Sequence, residues 1–164
     1  MFPFHDENGR VTGAYGRRIT PKLKAYSVYH IQWLSEDTVF FNTAALTKYK
    51  QILLCKSPVD ALSLIQLGIE NVVAIMGMKS FGFKHCSKLK AFNIETIGIV
   101  FDADFQGIKC AQAVAEQVSL AGMRCYGIDL PADKDVNQFL LEDAQPKDNF
   151  MKMLCSASPL TNSH

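Results

Sequence analysis

Apolar and polar positions follow two different periods along this chain, and each period predicts its own kind of structure. Residues 2–19, "FPFHDENGRVTGAYGRRI", alternate in the manner of strands on both sides of an Asp-Glu-Asn-Gly turn. Asn-Gly supplies the positive φ angles that a tight hairpin needs. Because a further short strand is predicted at residues 30–34, we expect the chain to open with a β-hairpin and a third strand.

From residue 51 the pattern becomes regular, and short apolar runs alternate with helical segments. The runs "ILLC", "NVVAIM", "TIGIVF" and "MRCYGI" predict strands that are apolar on both faces, and a glycine, Gly68 or Gly122, ends the helix before two of them. This alternation predicts an α/β fold with a parallel sheet and helices on both of its faces. The helical segments are "SPVDALSLIQL", a more basic one in "SFGFKHCSKLKAFN", and "FQGIKCAQAVAEQVSLA", which places Ile108, Ala111, Ala115 and Val118 on one face.

The tail of the chain has a different pattern. Its segment "DVNQFLLEDAQPKDNFMKML" predicts two short helices broken near Pro146, and residues 156–164 are expected to fray. The pattern as a whole divides the chain into three parts. Residues 1–49 form the hairpin and a basic segment, residues 50–141 form the α/β unit, and residues 142–164 form a C-terminal helix and frayed tail.

Length and composition narrow the class of protein. A chain of 164 residues suits one domain, and no apolar run approaches the roughly 20 residues that cross a bilayer. Acidic residues follow the N-terminus too early for a signal peptide, so we expect a cytoplasmic protein with no membrane contact. The 5 cysteines are scattered and include no C-x-x-C pair, which argues against a zinc ribbon and a disulfide framework.

Charge is distributed unevenly between the N-terminal and C-terminal parts of the chain. Residues 1–56 contain 8 Lys and Arg against 4 Asp and Glu, whereas residues 57–164 contain 9 against 12. A basic front and an acidic back suit a protein that holds a polyanion on one surface and performs metal or acid chemistry on another. A random mixture of solvated charges explains the same counts equally well.

Acidic residues follow two of the predicted strands, where open parallel sheets gather their ligands. Asp102 and Asp104 come directly after an apolar strand, and two nearby carboxylates repel each other unless a cation such as Mg²⁺ lies between them. Asp135 follows the next strand and its loop. Asp104 and Asp135 also stand where helix N-caps are expected, and capping explains each of them without a metal. Capping does not explain Asp102.

A lysine stands at the end of the first buried strand. Lys56 is followed by a strong helix start, with Ser57 as N-cap, Pro58 at the first helical position and Asp60 three residues after the cap. Asp60 therefore has a capping explanation as well. Lys56 is expected on the same rim as Asp102, and its position at the end of a buried strand weakens the alternative of a solvated surface lysine.

The order of these motifs resembles the TOPRIM domain of bacterial replicative DNA primases, and most closely the primase-like proteins of plasmids and mobile elements. The likeness covers residues 2–141 and rests on Lys56 and Asp60 in the first strand–helix unit, followed by "GIENVVAIMG", "FDADFQG" and "LPADKDVNQFL". The opening residues are similar to the hairpin that precedes TOPRIM in primases. The ordered set is specific, whereas a single member such as D-x-D is weak.

The resemblance implies a function and a set of site residues. It implies metal-dependent nucleotidyl transfer, in which RNA primers are made on single-stranded DNA with Mg²⁺ or Mn²⁺. Asp102 and Asp104 match the metal-binding pair, Asp135 matches a further acidic position, and Asp60 matches an acidic residue of the first helix. Gly77 matches a loop glycine. Arg10, Arg17 and Arg18 fall in the hairpin region, which in primases contributes basic residues that hold nucleic acid. In the basic helix, the local pattern assigns Lys79 and Lys84 to phosphate contacts, and a solvated helix face is the alternative explanation for these lysines.

Lys56 departs from the resembled family, which has a glutamate in this position as a general acid/base or metal-site group. A charged lysine cannot ligate Mg²⁺, and it acts as a general base only with a strongly lowered pKa. Two functions therefore stay open. One is a primase-type enzyme that acts on nucleotides, and the other is an inactive TOPRIM module that binds single-stranded DNA or RNA, or a replication protein.

Two further classes of enzyme fit the sequence less well. In phosphatases with an aspartate nucleophile, D-x-D usually lies near the N-terminus and continues to Thr or Val, whereas here Phe105 and Gln106 follow it at mid-chain. A nicotinamide-binding Rossmann domain is disfavoured because no G-x-G-x-x-G follows a predicted strand.

Overall fold

The computed structural model describes residues 1–18, 30–36, 38–77 and 80–160. Lys79, one of the predicted nucleic-acid contacts, lies outside these ranges. The strands are β1 (Phe2–His5), β2 (Val11–Arg17), β3 (His30–Leu34), β4 (Gln51–Cys55), β5 (Val72–Ala74), β6 (Thr96–Val100), β7 (Arg124–Gly127) and β8 (Ser158–Pro159). The helices are α1 (Ala44–Lys48), α2 (Pro58–Gln66), α3 (Phe83–Ala91), α4 (Phe105–Leu120), α5 (Val136–Glu142) and α6 (Pro146–Cys155).

The front of the chain folds into an antiparallel sheet in the order β1-β2-β3, which confirms the predicted hairpin and the third strand. Gly9 has a φ of 79° in the hairpin turn, a backbone conformation that favours glycine. The Asp6 carboxylate accepts hydrogen bonds from the backbone N–H groups of Asn8 and Arg10, both at 2.9 Å. The Asp6 side chain therefore stabilises the hairpin turn.

The rest of the chain builds a five-stranded sheet in the order β5-β4-β6-β7-β8. Its first four strands are parallel, and β8 adds to β7 in the antiparallel direction. Every residue of β6 is buried, as expected for the centre of a sheet that is covered on both faces. The predicted α/β architecture is confirmed.

Alternate residues of β4 divide the core into two layers. Ile52 and Leu54 pack into the cluster that contains α1, α3 and α4 residues, whereas Leu53 and Cys55 pack into the cluster that contains α2, α5 and α6 residues. Because successive side chains of a strand point to opposite faces and both faces are buried here, all four residues of "ILLC" are apolar. The same division places helices on both faces of the parallel sheet.

The antiparallel sheet is joined to the second of these layers by aromatic packing. Phe4 is 1% exposed and meets the Phe41 ring edge-on at a centroid distance of 5.3 Å. Phe41 in turn exchanges backbone hydrogen bonds with Ala74 of β5, at 2.8 and 3.2 Å. The inner face of the antiparallel sheet therefore packs against the α/β unit, and its other face points away from it.

Three details differ from the sequence-based expectation. Ile108 is 57% exposed, because it lies in the first turn of α4, whereas the buried residues of that helix are concentrated further along at Val114, Ala115 and Val118. The tail does not fray at residues 158–159, which form β8 and pair with the edge of β7. The short helix α1 has no counterpart among the predicted elements.

None of the helices in the described part of the chain is long and apolar enough to span a membrane.

Candidate functional site

The carboxyl ends of β4 and β6 form a rim that carries opposite charges. β4 and β6 are neighbours, so Lys56, just beyond β4, and Asp102, just beyond β6, come together although they are 46 residues apart. The Lys56 ammonium group donates to Asp102 Oδ2 in an ion pair, and the two side chains are only 23% and 18% exposed. The backbone of Lys56 is held from the other side, because its carbonyl accepts from the Gly77 N–H at 2.9 Å.

Gly107 is required by the close approach of α4 to this rim. A Cβ atom on Gly107 would lie 2.0 Å from the carbonyl oxygen of Asp102, which is closer than any real Cβ contact. Sequence reasoning did not single out this residue. The available signal was a glycine in the first turn of a helix, where it costs helix stability, directly after D-x-D.

Asp104 and Asp135 both cap helices. Asp104 Oδ1 accepts from the Gly107 N–H at 2.6 Å at the start of α4. Asp135 Oδ1 accepts from the Gln138 N–H at 2.7 Å at the start of α5, and the Gln138 side chain accepts from the Asp135 N–H at 3.2 Å. The capping roles that the sequence predicts as alternatives are therefore present for both carboxylates.

The loops that carry these two caps are linked through their backbones. The Ala103 N–H donates to the Lys134 carbonyl and the Asp133 N–H donates to the Ala103 carbonyl, both at 3.2 Å. The loop after β7 is thereby fastened to the loop after β6. This link places Asp135 on the same end of the sheet as Asp102 and Asp104.

Asp60 lies beneath the rim and is 2% exposed. The Ser57 hydroxyl donates to Asp60 Oδ2 at 2.6 Å, and the Asp60 N–H donates to Ser57 Oγ at 3.3 Å, so the predicted helix start is formed. Burial raises the pKa of Asp60 to about 6, against the opposing effects of the Ser57 hydrogen bond and the Lys56 charge. The negative charges of Asp135 and Asp102 add to the increase of this pKa.

The residues of the rim do not fit the divalent metal that the resemblance implies. The ammonium group of Lys56 is already paired with Asp102. Asp104 and Asp135 each use one carboxylate oxygen to accept a backbone hydrogen bond at the start of a helix. Within the described ranges, no three His, Cys, Asp or Glu side chains are grouped closely enough to hold a metal ion.

The basic residues predicted to hold nucleic acid belong to other elements than the Lys56–Asp102 ion pair. Arg10 directly precedes β2, Arg17 ends that strand, and Arg18 follows it. Lys84 is exposed on α3 and lines a cavity of about 640 Å³ together with hairpin residues, Asp6 and Glu7 among them. Within the described part of the chain, the structure thus places these residues in or next to β2 and on α3.

The family of the chain follows from comparison with known proteins. Residues 53–140 match the family described as Toprim-like, and the chain belongs to this family. The DNA primase of Geobacillus stearothermophilus is 30% identical to it over 151 residues, which cover 85% of this chain and 24% of that protein. The chain spans about a quarter of the length of the curated relatives it matches. It carries a primase-like Toprim domain that is homologous to bacterial DNA primases.

Solved structures agree with the fold. The zinc-binding and RNA polymerase domains of the Aquifex aeolicus primase match with a TM-score of 0.81 at 24% identity, over 96% of this chain and 40% of that chain. A DnaG primase catalytic domain bound to single-stranded DNA matches with a TM-score of 0.75 at 22% identity, over 98% of this chain and 52% of that chain. Membership of the Toprim-like family decides against the phosphatase and Rossmann alternatives.

Proposed function

We propose that this chain is a primase-like Toprim module that binds single-stranded DNA or RNA and does not itself join nucleotides. The observation that carries the proposal is the ion pair between Lys56 and Asp102. A protonated lysine beside Asp102 supplies the positive charge that a divalent cation would otherwise supply. It can neither ligate that cation nor accept the proton of an attacking hydroxyl group.

In this proposal Lys56 occupies the position that holds a glutamate in the resembled primases. The substitution changes the charge of the rim by two units and turns a ligand into a competitor of the metal. The cofactor implied by the resemblance, Mg²⁺ or Mn²⁺, is therefore replaced by a side chain of the protein. Because the counter-charge is covalently attached, the rim keeps its architecture while losing the open coordination positions that phosphoryl transfer needs.

Binding of nucleic acid is supported by charge and by a similar structure. Residues 1–56 contain twice as many basic as acidic residues, 8 against 4, and three of the basic residues, Arg10, Arg17 and Arg18, lie in or next to β2 of the antiparallel sheet. Phosphate contacts of Lys and Arg supply most of the sequence-independent affinity for nucleic acid. A structure with the same fold is a primase catalytic domain bound to single-stranded DNA.

The proposal is tested by measuring primer synthesis and DNA retention on the same preparations. Labelled nucleotides and a single-stranded template are supplied with Mg²⁺ or Mn²⁺ to the natural chain and to the Lys56→Glu, Asp102→Asn and Lys50→Glu variants. Lys50→Glu is the matched control, because it makes the same charge change at the opposite end of β4, where Lys50 is exposed. We expect the natural chain to retain single-stranded DNA on a filter at low salt and to make no primers.

Two outcomes contradict the proposal. Primer synthesis by the natural chain that disappears in Asp102→Asn would establish the alternative, a primase-type enzyme that uses nucleotides as substrates. Failure of the natural chain to retain either single-stranded DNA or RNA would remove the binding role. Synthesis gained only in Lys56→Glu, and not in Lys50→Glu, would support the assignment of Lys56 as the residue that excludes the metal.

A further inference from the structure

The outer face of the antiparallel sheet exposes two large apolar side chains. Trp33 is 68% exposed and Ile31 is 65% exposed, and their spacing of two residues along β3 places them on the same face. The other face of the sheet carries Phe4 and Tyr15, which are 1% and 6% exposed and belong to the core. The exposure of Trp33 is therefore a consequence of its position on the face that points away from the α/β unit.

The neighbouring strand offers only small residues opposite these side chains. Ala14 pairs with Trp33 and Gly16 pairs with Ile31. A Cβ atom on Gly16 would lie 2.9 Å from Ile31 Cγ2, so Ile31 occupies the space that a side chain at position 16 would need. Trp33 therefore has no large cross-strand neighbour in β2, since the residues of β2 opposite Trp33 and Ile31 are only Ala14 and Gly16.

The charges around this face favour an anionic ligand. Neither β2 nor β3 contains an Asp or Glu residue, and Arg18, just after β2, continues the register of Ala14 and Gly16, whereas Arg17 alternates to the face of Tyr15. An aromatic side chain on an open sheet face, next to cations, is the arrangement on which bases of single-stranded nucleic acids stack while their phosphates meet basic residues. A purely apolar protein partner would not need the cation of Arg18, and duplex nucleic acid does not offer unstacked bases.

We propose that this outer face is a stacking platform for single-stranded nucleic acid, in which a base stacks on Trp33 and packs beside Ile31. The proposal rests on the proposed function, since it names the surface through which the module holds its ligand. It does not involve the rim of Lys56 and Asp102. Binding on the platform is expected to be tolerant of sequence, because every base has an aromatic face.

The test uses the intrinsic fluorescence of the chain, since Trp33 is the only tryptophan of its 164 residues. Oligo(dT) and oligo(rU) are titrated separately, so that DNA and RNA are distinguished. We expect saturable quenching of Trp33 emission and protection of the indole from acrylamide. In a filter-retention assay, Trp33→Ala should weaken binding about fivefold or more, whereas Trp33→Phe should keep most of the affinity.

Leu120→Ala is the control variant, because Leu120 is an 87% exposed apolar residue at the end of α4 and removal of its side chain should leave binding unchanged. Circular dichroism on each variant checks that the fold is kept.

If the natural chain binds and Trp33→Ala binds equally well, the platform is wrong while the proposed function stands. If the natural chain binds neither oligomer, both are wrong. A dimer in sedimentation that Trp33→Ala abolishes, with binding unaffected, would identify the face as a contact between two copies of the chain and would also overturn the platform.

Discussion

Lys56 and Asp102 attract each other in a position where water screens only part of their charge, since the two side chains are 23% and 18% exposed. Fully exposed ion pairs contribute about 0–1 kcal/mol to stability, whereas removing one partner of a fully buried pair costs about 3–5 kcal/mol. We therefore expect Lys56→Met to lower the free energy of unfolding by roughly 1–2 kcal/mol, measured by urea denaturation.

A double-mutant cycle separates the ion pair from other effects of the substitutions. Lys56→Met leaves Asp102 without its counter-charge, and Asp102→Asn leaves Lys56 without its own. The double variant should lose less stability than the two single variants added together, with a coupling of about 1 kcal/mol. Additive losses would show that the two groups do not interact in solution.

Asp60 should make the stability of the chain depend on pH. Its pKa is raised from 3.8 to about 6 in the folded state, mainly by burial, so the folded chain binds this proton more tightly than the unfolded chain. The resulting stabilisation is complete below a pH of about 4 and is lost as the pH rises through about 6. Its full size is on the order of 2–3 kcal/mol.

The measurement compares the natural chain with Asp60→Asn in urea at several pH values. Asparagine is uncharged and still accepts a hydrogen bond from Ser57, so differences between the two proteins isolate the carboxyl group from the other acids. We expect the difference in unfolding free energy to move in favour of Asp60→Asn as the pH rises from about 4 to about 7. A difference that does not change with pH would mean that folding does not raise the pKa of Asp60.

Among the helices, α4 depends on Gly107 for its approach to the rim. In Gly107→Ala the new Cβ atom would lie 2.0 Å from the Asp102 carbonyl oxygen, so the helix or the loop must move. We expect a loss of stability of about 3 kcal/mol or more, measured by thermal and urea unfolding. Gly82→Ala at the N-cap of α3 is the control, because a Cβ atom there would have no heavy atom within 4 Å, and it should cost less than about 1 kcal/mol. Equal losses in both variants would contradict the close approach.

The ends of the elements are predictable from the sequence because their signals are local. The sequence predicts Ser57, Asp104 and Asp135 as helix N-caps, and all three accept the backbone hydrogen bond of a cap. Ile108 belongs to the predicted apolar face of α4 and is nevertheless 57% exposed, because periodicity identifies a helix face but not the part of the helix that overlies the sheet. The pairing of β8 with β7 likewise depends on an exposed strand edge that only the folded sheet presents.

In the molecule as a whole, the composition of the rim is predictable from the sequence but its contacts are not. The rule that ligands gather beyond parallel strands brings Lys56, Asp102 and Asp135 to one end of the sheet. Which carboxylate meets Lys56 follows from the adjacency of β4 and β6, a tertiary fact. Sequence reasoning does not single out Trp33, because the exposure of one face of β3 depends on what the other strands of that sheet pack against.

The basic residues of the antiparallel sheet and α3 should determine how binding responds to salt. Affinity for single strands falls with a slope of about 0.7 per phosphate contact in a double-logarithmic plot. We expect Arg10→Gln and Lys84→Gln each to lower this slope by about that amount, and Lys50→Gln to leave it unchanged. Unchanged slopes in all three variants would place the phosphate contacts elsewhere.

The proposed replacement of a metal ion by Lys56 at the rim can be tested by metal binding itself. A titration with Mn²⁺, followed by the electron paramagnetic resonance signal of the free ion, compares the natural chain with Lys56→Glu and with the Lys56→Glu, Asp102→Asn double variant. We expect saturable binding of Mn²⁺ by Lys56→Glu, whereas neither the natural chain nor the double variant should saturate over the same concentrations. Saturable binding by the natural chain that Asp102→Asn abolishes would contradict the replacement.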